Sequence, residues 1–73
     1  MSYYKSAEYY QSDEYKEFMF NVDMLKGSIN RICVTDEPEE CTKCYDHALK
    51  VLKRIYEYRC KVLTEISKNE QIG

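Results

Sequence analysis

Between Cys44 and Ile66 the sequence carries two apolar stripes at helical spacing, and this double pattern limits the fold more than any other feature. One stripe is Cys44, Ala48, Val51, Ile55, Tyr58, Val62 and Ile66; the other is Tyr45, Leu49, Leu52, Tyr56, Cys60 and Leu63. Steps of three and four keep each set on one face of an α-helix, whereas a half-buried strand needs steps of two. A helix with one stripe needs one neighbour; a helix with two adjacent stripes needs two.

The first neighbour is in the same chain. Tyr15, Phe18, Val22, Leu25, Ile29 and Ile32 form one stripe, widened by Met19 and Met24 and weakly extended upstream by Ala7 and Gln11. Gly27 interrupts this run at a cost of about 1 kcal/mol relative to alanine, yet the stripe passes across it, so the helix is expected to continue. Between the segments lies Thr35-Asp36-Glu37-Pro38-Glu39-Glu40. Proline suits the first turn of a helix, where its missing N–H would be unpaired. Asp36 and Glu39 have capping-box spacing, and the acids suit the positive end of the helix dipole.

These signals predict one all-α domain over residues 1–73: an antiparallel helical hairpin, with helix over about 5–33, a bend over about 34–37 and helix over about 38–68. The second stripe is then left over, and a second copy of the chain is the economical cover, giving a homodimeric four-helix bundle. Size points the same way. A chain of 73 residues buries a small core and commonly relies on a disulfide, a metal or a partner. Charge supports the pairing of the helices: residues 1–40 hold nine acids and four bases, and residues 41–73 hold four acids and seven bases. Their net charges, −5 and +3, attract.

The composition also bounds the function. With 44% hydrophobic residues, 2 Gly and 1 Pro, the chain is too apolar and too poor in breakers for disorder. A formal net charge of −2 makes no demand for nucleic acid or an anionic membrane. No apolar run approaches the roughly 20 residues of a membrane span. The start, MSYYKSAEYYQS, lacks the apolar core of a secretory leader, so a cytoplasmic protein with reduced thiols is expected. The excess of lysine over arginine and the 8 tyrosines suit an A+T-rich coding sequence, as in many bacteria and phages.

The stretch CVTDEPEECTKCYDH, from Cys33 to His47, holds metal-ligand chemistry. Cys33, Cys41, Cys44 and His47 make a Cys3His set of the right types for zinc. Helical spacing opposes it: Cys41 and His47 would stand about 9 Å apart along the axis and about 120° apart around it. A redox use of Cys41-Thr42-Lys43-Cys44 is opposed by Glu37, Glu39, Glu40 and Asp46, whose charges disfavour a thiolate. The favoured reading makes Cys44 and Cys60 small apolar packing residues, with Cys33 and Cys41 near the bend. No cofactor is expected, zinc being the alternative.

No nucleophile elbow, phosphate loop or paired acid–base set stands out, so no enzyme is expected. Lys43, Lys50, Arg54 and Lys61 share one side of the second helix and could meet phosphates, but Asp46 and Glu57 interrupt them. Tyr3, Tyr4, Tyr9 and Tyr10 are the expected partner-binding residues, because tyrosine offers a large ring with a polar tip. Some of them are expected to pack instead at the open end of the hairpin. The core or dimer seam is expected at Phe18, Val22, Leu25, Ile29, Val51, Leu52, Ile55, Tyr56, Val62 and Leu63. The functional expectation is a small non-enzymatic interaction module, a regulator or inhibitor that pairs with itself and docks on a larger protein. A zinc module or a nucleic-acid-binding dimer are the alternatives.

Overall fold

A computed structural model describes residues 3–72, and the side chains of residues 3–68. The described chain is helical: a 3-10 turn over Tyr3–Lys5, α1 over Ala7–Tyr10, α2 over Asp13–Val34 and α3 over Pro38–Ile72. The two long helices pack against each other along a molecule of 53 × 21 × 15 Å. Partner numbers fall along α3 as they rise along α2: Phe18 meets Tyr58, Ser28 meets His47 and Arg31 meets Glu40. Among the described residues no helix is long and apolar enough to cross a membrane.

The first helical segment is not continuous. Gln11 and Ser12 break it, and serine chemistry is the cause. Ser12 caps α2 by accepting the Tyr15 N–H at 3.1 Å, and its hydroxyl donates to the Tyr9 carbonyl. Ser6 does the same six residues earlier, accepting from Tyr9 N–H and donating to the Tyr3 carbonyl. Such local bonds compete with helix continuation. Asp13 and Glu14 then occupy the first turn of α2, where the dipole favours acids.

Thr35, Asp36 and Glu37 join the long helices. Pro38 is the first residue of α3, and Glu39 and Glu40 stand in its first turn. Asp36 is the expected cap; the bond found just before α3 is instead a local turn, in which the Thr35 hydroxyl accepts the Glu37 N–H at 3.2 Å. Gly27 is helical with an ordinary backbone, and a Cβ there would meet nothing within 4 Å. The core lies on the first stripe of α3, with Ala48, Val51 and Val62 buried, together with Tyr9 and Ser28.

Candidate functional site: an apolar face beside a tyrosine cluster

The packing of α2 on α3 uses one stripe of α3 and leaves the other. Val51 and Val62 are each 1% exposed. Tyr45, Leu49, Leu52, Tyr56 and Leu63 are between 47% and 66% exposed, and Cys60 is exposed with them. On α2 the seam is rotated from the apolar stripe. Ser28 is buried and Ile29, next to it, is exposed; Phe18, Val22, Leu25 and Ile32 are half-buried. Ile55 is half-buried on α3.

The polar contacts define one flank of the seam. Ser28 Oγ lies 2.8 Å from His47 Nδ1, and Arg31 Nε donates to Glu40 Oε1. The Glu40 hydrogen bond and charge hold the Arg31 guanidinium above its usual pKa. With Arg31 largely exposed and Glu40 partly so, this pair adds little stability. Two open grooves lie on this flank. One, of about 360 Å³, is lined by Glu14, Glu17, Phe18, Asn21, Arg54, Ile55, Tyr58 and Lys61. The other, of about 420 Å³, is lined by Ser28, Glu37, Glu39, Glu40, Lys43, Cys44 and His47.

The opposite flank is apolar. Leu49, Leu52, Tyr56 and Leu63 sit roughly 80–140° around α3 from the seam, on the side away from His47, at about 100° per residue. Ile29 sits on the corresponding side of α2, away from Ser28 by about 100°. Because Ser28 and His47 mark the same side of the seam, Ile29 and the second stripe share the other side. On α3 the charged and apolar sides are therefore separate, while on α2 the exposed Phe20 stands within about 20° of Arg31 on the charged side.

At the end of this face stands an aromatic cluster. The Tyr9 ring is 3% exposed and meets four neighbours edge-on: Tyr4 at 5.1 Å, Tyr15 at 5.2 Å, Tyr10 at 5.3 Å and Tyr3 at 5.7 Å. Its hydroxyl lies 2.8 Å from that of Tyr58. Burial, then the Tyr9 hydroxyl, then the Glu14 charge push the Tyr58 phenol far above its ordinary pKa. Burial and the charges of Glu14 and Glu65 raise Tyr4 as well. Of the four residues expected to bind a partner, Tyr9 is spent on the core, Tyr4 is half-buried, and Tyr3 and Tyr10 are exposed. The expected packing of some of these tyrosines at the open end of the hairpin falls to Tyr9 and, in part, Tyr4, beside the break that the Ser12 cap makes.

The expected metal set is spread out. Cys33 and His47 are exposed, and Cys41 and Cys44 are half-buried. Among the described residues no group of three or more His, Cys, Asp or Glu side chains is arranged to hold a metal ion. Of the basic residues on α3, Arg54 and Lys61 face Glu14 and Glu17 across their groove, and Lys43 faces Glu37, Glu39 and Glu40. Acids beside each base weaken any attraction for phosphates. No protein-family model, curated protein or solved structure matches the chain, so the functional reading rests on this geometry.

Proposed function

We propose that the chain is an antiparallel helical hairpin that acts as a non-catalytic protein–protein interaction module. Its apolar flank pairs with a second copy to make a four-helix bundle, and its tyrosine-rich end docks on a larger protein that it regulates or inhibits. The observation that carries this reading is the exposure of Tyr45, Leu49, Leu52, Tyr56 and Leu63 on one side of one helix. A continuous apolar row of this kind is what interfaces bury and what monomers avoid. Tyr3 and Tyr10, with exposed rings braced by Tyr9, supply the docking edge. Free Cys33, Cys41, Cys44 and Cys60 suit a reducing compartment, and the cytoplasm is the location we assign.

Sedimentation equilibrium across a wide concentration range tests the reading. A dimer that dissociates on dilution is expected. A monomer at every concentration, with full helix content, would overturn the self-pairing.

A further inference from the structure

The surface pattern of α3 is self-complementary in one register. Tyr45, Leu49, Leu52 and Tyr56 are spaced by four, three and four. Two copies of such a helix, laid antiparallel about a two-fold axis midway between Leu49 and Leu52, bring together residues whose numbers sum to 101. Leu49 of one copy then meets Leu52 of the other, and Tyr45 meets Tyr56, in two symmetric pairs of layers. The next exposed apolar residue, Leu63, reaches the start of the second copy's α3 at Pro38. Between Tyr56 and Leu63 the exposed Arg59 meets Thr42 of the other copy, a polar layer at each end of the apolar one.

The charges beside the row select the same register. Asp46 and Lys53 follow Tyr45 and Leu52 directly and are exposed on the outer edge of the row. In an antiparallel pair the flanking positions on that edge meet with a sum two below that of the layers, here 99. Asp46 and Lys53 satisfy it, so each copy's Asp46 faces the other's Lys53, twice per dimer. The hold on Lys53 within the chain is weak, a 3.9 Å contact with exposed Glu57. Sliding by one heptad, to an axis between Leu52 and Tyr56, sets Lys53 against Lys53 and Leu49 against Arg59. That register keeps two symmetric pairs of apolar layers, Leu52 with Tyr56 and Tyr45 with Leu63, but it loses the ion pairs and sets a charge against Leu49.

We infer that the occupant of the apolar face is a second copy of this chain, with α3 antiparallel to α3 about an axis between Leu49 and Leu52, and with Asp46 paired to Lys53 across the interface. This rests on the self-pairing reading above and specifies it. Like-charge contacts opposite each other cost about as much as exposed opposite-charge pairs contribute, and symmetry doubles the effect.

The experiment uses full chains carrying Asp46→Lys or Lys53→Asp, alone and mixed in equal amounts at low salt. Both sites are exposed, and circular dichroism checks that helix content is kept. Each variant alone has a dimer dissociation constant raised about tenfold, as two attractive contacts become repulsive with a swing of roughly 0.7 kcal/mol at each. Mixed, they form a heterodimer in which both contacts are restored, identified by its mass in native mass spectrometry and about as tight as the parent. A parent dimer whose two variants show no preference for each other would overturn the register and leave the self-pairing standing. A monomeric parent would overturn both.

Discussion

The hydroxyls of Tyr9 and Tyr58 meet at 2.8 Å and tie the start of the chain to the middle of α3 across 49 residues. Around this bond the rings of Tyr3, Tyr4, Tyr10 and Tyr15 stand edge-on to Tyr9, and Phe18 leans on Tyr58 at 5.1 Å. The short α1 could not hold itself in water, since so few residues cannot repay helix nucleation. It is held by Tyr9.

Tyr9→Ala therefore belongs with core truncations and is expected to cost about 3 kcal/mol of unfolding free energy. Tyr10→Ala, at an exposed ring, is expected to cost under about 1 kcal/mol. Urea titration of each variant checks the contrast. Equal midpoints would mean that Tyr9 does not anchor the cluster.

Alkaline pH should loosen the same bond. Burial holds the Tyr58 phenol protonated in the folded chain, with its pKa raised above the unfolded value of about 10. Above that pH the unfolded chain releases a proton that the folded chain keeps. Stability from this source is present in full below about pH 10 and declines as pH rises further. Tyr58→Phe keeps the ring and removes the proton. It is expected to lose about 1 kcal/mol at neutral pH, from the missing hydrogen bond, and to show a shallower fall in Tm between about pH 10 and 11.5 than the parent. Tyr4, also raised, leaves a residual slope. Parallel profiles for parent and variant would refute the role of Tyr58.

Gly27→Ala is expected to raise stability by about 1 kcal/mol, because the site is helical and the added methyl meets open space. Thermal unfolding checks it. A loss would mean that the outer face of α2 is covered in solution at that turn.

The helical class, and the packing of two long helices, follow from stripes whose period only a helix can present to a neighbour. Pro38, with acids after it, signalled where the second begins. Two features were hidden. Stripe continuity through Ala7 and Gln11 suggested one first helix, while Ser12-Asp13-Glu14, a cap followed by acids, marked a fresh start. Polarity also argued for Ile29 over Ser28 in the seam. Ser28 fits there because His47 satisfies its hydroxyl, and a partner on another helix cannot be read from local spacing. The division of α3 into a covered and an uncovered stripe was legible as a pattern, but which stripe α2 would cover depended on that rotation.

Val51 and Leu52 separate the two stripes most sharply, being adjacent in sequence and about 100° apart on the helix. Val51 is 1% exposed against α2, whereas Leu52 is half-exposed on the apolar flank. A carboxylate at Val51 would be buried without a partner, a penalty comparable with the whole stability of so small a domain. Val51→Asp is expected to abolish helical circular dichroism at 25 °C. At Leu52 the same change places a charge where a single chain leaves it in water, so Leu52→Asp should keep its helix content at high dilution, within about 1 kcal/mol of the parent monomer. Its effect should appear in association: at concentrations where the parent pairs, Leu52→Asp should remain monomeric, because two carboxylates would enter one apolar layer. Circular dichroism and sedimentation on the same samples give both readings. If Leu52→Asp unfolds as Val51→Asp does, the second stripe is part of one inseparable core. If it pairs as tightly as the parent, the interface lies elsewhere.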